Sequence, residues 1–176
     1  IKKAEELVNN NSDYYMPSHF DNPANPKAHK ETTAKEIIND LDKVDALVIG
    51  VGTGGTLSGT GQVLKNKFPE LKVYAVEPAN SAVISGENPG PHQIQGIGAG
   101  FIPEVLEQDL IDEVVTIENE EAFDTARRLA KVEGLFVGIS SGANTAAALK
   151  VAEDYDKDAN IVTVLPDTGE RYLSVF

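Results

Sequence analysis

Apolar residues recur along this chain in two rhythms, and the change from one to the other marks out its elements. In IKKAEELVNN, Ile1, Ala4, Leu7 and Val8 fall on one helical face. A second helical stripe over Ala28–Leu41 carries Ala34, Ile37, Ile38 and Leu41. Ala46–Val51 is instead a short continuous apolar run, which predicts a buried strand. Strand-like runs recur at Val73–Val76, Glu113–Ile117 and Ile161–Leu165, with another short apolar run at Leu135–Ile139. Helical spacing fills the gaps, over Leu57–Phe68, Asn119–Glu133 and the alanine-rich SSGANTAAALKVA. In the second of these Ala122, Ala126, Leu129 and Ala130 align, and Gly134 supplies a stop. DYYMP, Asp13 to Pro17, predicts a short strand ended by proline, and DNPANP, Asp21 to Pro26, a turn cluster. Glycine and proline dominate Asn80–Pro103, which predicts an ordered loop. Strands alternating with helices give the expected class: α/β, with a mostly parallel twisted sheet flanked by helices.

Composition narrows the partners. The 176 residues suffice for one domain with a sizeable core. A net charge of −13 argues against non-specific binding to nucleic acid or to an anionic membrane surface. There is no cysteine, so disulfides and thiolate metal sites are excluded. No apolar stretch has transmembrane length and no signal-peptide pattern is present, so a soluble, cytoplasmic protein is the expectation. The chain opens on Ile1 inside an uncapped amphipathic helix, which leads us to expect a fragment, or a chain lacking its beginning.

Candidate chemistry starts at GVGTGGTLSGTGQ, Gly50 to Gln62, where a strand runs through glycines into a helix. Such a junction binds phosphate through backbone N–H groups and the positive end of the helix. No Gly-Lys-Ser/Thr follows, so a nucleoside-triphosphate loop is excluded. A dinucleotide site remains open: Gly50, Gly52 and Gly55 satisfy G-x-G-x-x-G, and Glu77 ends the next strand where a ribose-binding acid would lie. A phosphate monoester such as pyridoxal phosphate is the third reading, because the Thr53 and Thr56 hydroxyls flank Gly54-Gly55 and can converge on one small dianion. A tight turn without ligand is the plain alternative. GISSGANTAAA, Gly138 to Ala148, repeats the arrangement, with small hydroxyls at a helix start. Alone, Ser140 or Ser141 would be read as an N-cap. Together with the first loop and PDTGERYLS, Pro166 to Ser174, that reading is insufficient.

These segments, with FDNPANPKAHKETTAKEI, VEPANSAVISG and PGPHQIQGIGAGFIPEVL, resemble the cysteine synthase (O-acetylserine sulfhydrylase) family from Ile1 almost to Phe176. The resemblance implies a tryptophan synthase β-like, fold-type II pyridoxal-phosphate enzyme, of which this chain looks like the C-terminal half. Residues 1–16 would be the tail of a small N-terminal domain and 17–176 most of the large cofactor-binding domain. Gly52, Thr53, Gly54, Gly55 and Thr56 would cradle the cofactor phosphate. Ser140 would face the pyridine nitrogen, and Gly96 would line the substrate side. A neutral hydroxyl at the ring nitrogen, unlike a carboxylate, does not hold it protonated, which suits loss of a β-substituent and restrains transamination. Pro166 to Thr168 would pass near that nitrogen.

The implied reaction converts O-acetylserine and sulfide to cysteine and acetate, in a cytoplasmic homodimer to which a serine acetyltransferase can dock. Cystathionine β-synthase shares part of the pattern and is the alternative within this chemistry. The family's Schiff-base lysine, in a Ser-Val-Lys-type motif, and its Thr-Ser-Gly-Asn-Thr carboxylate loop both lack a counterpart here. Lys27, Lys35 and Lys65 read as solvated helix faces, so the chain alone is expected to be inactive. Ser18-His19-Phe20 replaces the family's Gln-Gln-Phe; His19 could be a base, but a substitution at a pocket edge is the preferred reading. His29 and His92 lie in no metal-ligand spacing and read as structural or solvent-facing.

Overall fold

The computed structural model describes residues 1–175. Its sheet has four strands, all parallel, in the order β3-β2-β1-β4. They are β1 (Ala46–Gly50), β2 (Lys72–Pro78), β3 (Glu113–Ile117) and β4 (Ile161–Thr163). Register is set around β1, whose Leu47 lies opposite Val73 on one side and Val162 on the other. Alternate side chains of a strand point to opposite faces, so a strand covered on both faces must be apolar throughout. In β1, Leu47 and Ile49 pack into one core with Leu57 and Leu64 of α4 (Gly55–Lys67). Ala46 and Val48 pack into the other, against Ile139, Ala143 and Ala147 of α6 (Ile139–Ala152). That is why Ala46-Leu47-Val48-Ile49 reads as unbroken apolar sequence.

The remaining helices are α1 (Lys2–Asn10), α2 (Ala24–Glu31), α3 (Thr33–Asp40) and α5 (Asn119–Arg128). From β1 the chain winds outward through β2 to β3, then returns to place β4 on the other side of β1. The carboxyl ends of β1 and β4 therefore flank a topological switch point, where open α/β sheets bind ligands.

Several expected elements differ. Asp13–Pro17 forms no strand: Tyr14 and Tyr15 are exposed and the segment pairs with nothing in the sheet. The single helix expected over Ala28–Leu41 is two. It begins four residues earlier, where Asn22 Oδ1 accepts the Ala24 N–H, and breaks at Thr32, whose φ is −118° and ψ −83°. Thr32 Oγ1 donates to the Ala28 carbonyl at that break. The helix expected to Glu133 loosens after Arg128 into a wider π turn over Leu129–Glu133, and Gly134 stops it at φ +70°. In Leu135–Ile139 only Val137 pairs, in an antiparallel bridge to Thr168. Lys65 is no solvated side chain, since it is ion-paired with Asp112 at 2.7 Å; Lys27 and Lys35 are exposed, as expected.

Candidate functional site

A cavity of about 300 Å3 opens at the switch point, between the Gly50–Thr56 loop, the start of α6 and the segment after β4. Gly52, Thr53, Gly54, Thr56, Gly96 and Ser140 all line it. Two loops more than eighty residues apart in sequence thus meet at one crevice. Gly55 lies just behind this wall, as the first residue of α4.

The Gly50–Thr56 loop offers a directed hydroxyl and free backbone donors. Asn25 Nδ2, from α2, donates to Thr53 Oγ1 at 2.9 Å, and the Gly55 N–H donates to the same oxygen at 3.2 Å. A hydroxyl has two lone pairs and one proton. With both lone pairs engaged, the Thr53 proton is left for an acceptor in the cavity. The Thr56 and Leu57 N–H groups belong to the first turn of α4, where no intrahelical acceptor exists. They add donors and the positive end of a thirteen-residue helix.

The glycines admit neighbours rather than simply leaving space. Gly54 has φ +84°, and a Cβ there would meet Leu106 Cβ at 2.8 Å. A Cβ on Gly55 would overlap the Asn25 amide, one on Gly52 the Gly96 carbonyl, and one on Gly50 the Asn144 amide. Gly96 itself has φ +102°, and its Cβ would point into the cavity, 3.5 Å from Ser140 Oγ. The Gly98 N–H donates to the Val51 carbonyl at 3.0 Å, pinning the loop that carries Gly96 over the phosphate loop.

Ser140 is 3% exposed in the first turn of α6, and its hydroxyl has no hydrogen-bond partner among the described residues. Beside it, Asn144 donates Nδ2 to the Val164 carbonyl at 2.7 Å while its Oδ1 is buried and unmatched. Asp167 accepts from Tyr172 Oη at 2.5 Å through Oδ2, and its buried Oδ1 is likewise unmatched. Burial and the neighbouring Asp167 push the Tyr172 hydroxyl up to about 12. Orphaned buried polar atoms carry a desolvation cost, and Asn144 and Asp167 both border the crevice beside the Ser140 hydroxyl.

Other candidates fall outside the crevice. Glu77 is 1% exposed, and its carboxylate accepts the Ile84 and Ser85 N–H groups and the Ser85 hydroxyl at 2.7–2.9 Å. It holds the chain after β2 and is not presented to a ribose, which removes the acid that the dinucleotide reading needed. His19 stacks on Phe20 with ring centroids 4.5 Å apart, in a separate groove beside Met16 and Phe101. It does not reach the crevice. His92 Nε2 lies 2.9 Å from the Gly98 carbonyl, a structural role. No lysine lines the crevice among the described residues. Sequence reasoning missed Asn25 and Asn144, although Asn25 sits within the NPANP motif and Asn144 within SSGAN.

Comparison with known proteins agrees with this geometry. The sequence model for the family described as "Pyridoxal-phosphate dependent enzyme" matches residues 1–167. Cysteine synthase of Staphylococcus aureus is 48% identical over 176 residues, a match covering 99% of this chain and 56% of that protein. O-acetyl serine sulfhydrylase isoform 3 from Entamoeba histolytica superposes with a TM-score of 0.93 at 46% identity, covering 98% of this chain and 52% of that one. An O-acetylserine dependent cystathionine β-synthase from Helicobacter pylori superposes equally well, at 0.93 and 44% identity, over 98% of this chain and 56% of that one. The chain therefore spans little more than half the length of its relatives. With a matching family model over nearly its whole length, and a crevice placed and furnished for a phosphate-bearing ligand, this chain belongs to the pyridoxal-phosphate dependent enzyme family.

Proposed function

We propose that this chain forms the phosphate-binding part of a cysteine synthase, which converts O-acetylserine and sulfide to cysteine and acetate. The observation that carries the reading is the Thr53 hydroxyl, turned outward by Asn25 and Gly55 at the mouth of a helix-capped crevice. The residues fit the family's cofactor. Thr53 and Thr56 supply hydroxyl donors, and the first turn of α4 supplies N–H donors to a dianion. The space that a Cβ on Gly96 would fill lies next to the unpaired Ser140 hydroxyl, as a flat ring requires.

When bound, pyridoxal phosphate supplies the electron sink that lets a β-substituent leave an amino acid. This chain's own residues orient it. The cup fixes the phosphate end, Ser140 offers a neutral hydroxyl to the ring nitrogen, and Gly96 keeps the substrate side open. Overall a C–O bond to acetate breaks and a C–S bond to sulfide forms. The lysine that holds the cofactor covalently is placed outside residues 1–176, so these residues alone do not turn over. Residues 1–16 are assigned to a smaller neighbouring domain, in keeping with α1, which buries none of its residues. Among the described residues no helix is long and apolar enough to cross a membrane. A cytoplasmic homodimer, with serine acetyltransferase as a further partner, completes the proposal; exposed Val132 and Leu149 give it apolar surface to cover.

A second reading is favoured by the Helicobacter pylori likeness: homocysteine in place of sulfide, giving cystathionine. Incubating the intact protein with O-acetylserine and either sulfide or homocysteine separates the two. Cysteine formed in preference to cystathionine supports the first. Cystathionine alone supports the second. Turnover that needs a nicotinamide and not pyridoxal phosphate would overturn both.

A further inference from the structure

One imidazole stands directly behind the phosphate loop. His29, on α2, places Nε2 3.1 Å from Thr56 Oγ1 and Nδ1 3.0 Å from Thr33 Oγ1. The ring is held there by close packing of α2 on α4, since a Cβ on Gly59 would meet His29 Cβ at 2.7 Å. The break at Thr32 turns the chain so that Thr33, one residue later, faces back to the ring. Burial lowers the pKa of His29, so the imidazole is held in its neutral form, with one donor nitrogen and one acceptor.

Two proton arrangements are open to this chain of three groups. In one, the Thr56 hydroxyl donates to Nε2, Nδ1–H donates to Thr33, and lone pairs of Thr56 are left facing the cavity. In the other, Thr33 donates to Nδ1, Nε2–H donates to Thr56, and the Thr56 proton is free for the cavity. An anion in the cup selects the second. Thr53 is treated in the same way by Asn25, which sits four residues before His29 and so on the same face of α2. One helix face thus sets the hydroxyl orientation of both cup threonines.

We infer that His29 is a positioning residue for the phosphate cup: it donates to Thr56 so that the Thr56 hydroxyl is presented as a donor to the cofactor phosphate, and Thr33 selects the tautomer that makes this possible. The inference rests on the cup assigned above. It differs from a packing role because its effect is specific to the phosphate end of the ligand.

The test uses the intact protein stripped of cofactor, titrated with pyridoxal phosphate and with unphosphorylated pyridoxal, for the parent, His29→Ala, His29→Gln and Thr33→Val. A glutamine amide can place an N–H where Nε2–H stood. His29→Ala is expected to weaken pyridoxal phosphate binding about tenfold, the scale of one hydrogen bond to a charged group, and to leave pyridoxal within about twofold. His29→Gln should recover most of that loss, and Thr33→Val should lose about threefold with the ring still in place. The phosphorus NMR shift of the bound cofactor should move in His29→Ala and return in His29→Gln. Equal weakening of both ligands, no weakening of either, or no recovery with glutamine overturns the inference. If His29→Ala does not fold, Thr33→Val decides, and unchanged pyridoxal phosphate binding there overturns it. A parent protein with no preference for the phosphorylated ligand would overturn the cup itself, whereas a preference kept by every variant overturns only the role of His29.

Discussion

Asn25 reaches across from α2 to donate to Thr53 Oγ1 at 2.9 Å, while its other amide proton serves the His19 carbonyl at 2.8 Å. One amide thereby ties the approach to α2 and the phosphate loop together. Asn25→Ala frees one lone pair of Thr53, so its hydroxyl no longer points outward by necessity. We expect cofactor binding to weaken about tenfold, read by equilibrium dialysis against pyridoxal phosphate. Asn25→Asp should be worse, because a carboxylate accepts where the amide donated and adds negative charge beside the phosphate. Asn25→Asp binding as tightly as the parent would contradict this.

Gly54 lines the crevice, but its missing Cβ is directed at Leu106 and its φ of +84° is left-handed. The conformational part of replacing it costs about 1–2 kcal/mol for any side chain. Gly54→Ala should therefore lower unfolding free energy by at least that amount, measured in urea. Adding Leu106→Ala removes only the Cδ1 contact and leaves the Cβ contact and the backbone cost, so the double variant should stay less stable than Leu106→Ala alone. Equal stability of those two would mean that the turn tolerates a side chain.

Ser140 carries no competing hydrogen bond and lies in the crevice, so its change should act on chemistry more than on retention. Ser140→Ala is expected to keep pyridoxal phosphate within about threefold and to slow loss of the β-substituent about tenfold, in single-turnover mixing with O-acetylserine. Ser140→Asp should hold the ring nitrogen protonated and raise transamination as a side reaction. Parent-like behaviour of both would place Ser140 away from the ring.

Stability has its own titrating anchor at Asp112. Burial works to raise its carboxyl pKa, but the hydrogen bonds from Lys65 and the Val73 N–H, with the charges of Lys65 and Lys72, outweigh it and bring the value below 3.8. A depressed folded-state pKa gives stability that is complete above 3.8 and is lost as pH falls through the lower folded value. Asp112→Asn should thus cost about 1–3 kcal/mol at pH 7. That deficit should shrink as both proteins are acidified below pH 3.8, read by urea melts along a pH series. A deficit that is constant with pH would assign the effect to shape, not charge.

Much of this fold is legible in the sequence, for a physical reason that also explains the exceptions. β1 differs by one residue from its expected span because a strand buried on both faces must be continuously apolar, and the edge strand β3 spans the five residues expected from its β-branched Val114, Val115, Thr116 and Ile117. DYYMP has the composition of a strand but no neighbour to pair with, and pairing is a property of the tertiary fold. The break at Thr32 is equally invisible, since the stripe of Ala34, Ile37 and Ile38 begins only after it and no glycine or proline between Ala28 and Leu41 marks it. In the site, Gly52 to Thr56 and Ser140 stand out as small residues at apolar-run-to-helix junctions, whereas Gly96 is pointed to only by the family resemblance. Asn25 and His29 do not stand out. Their parts in the site depend on α2 packing against α4, which no local pattern encodes.

We propose that the crevice between Gly52–Thr56 and Ser140 holds pyridoxal phosphate, phosphate end toward the threonines. A crystal structure of the intact protein grown with the cofactor tests it most directly. Phosphate oxygens are expected within hydrogen-bond reach of Thr53 Oγ1, Thr56 Oγ1 and the first turn of α4, with the ring nitrogen facing Ser140 Oγ. A phosphate bound elsewhere, or a ring nitrogen turned away from Ser140 toward open solvent, would contradict it.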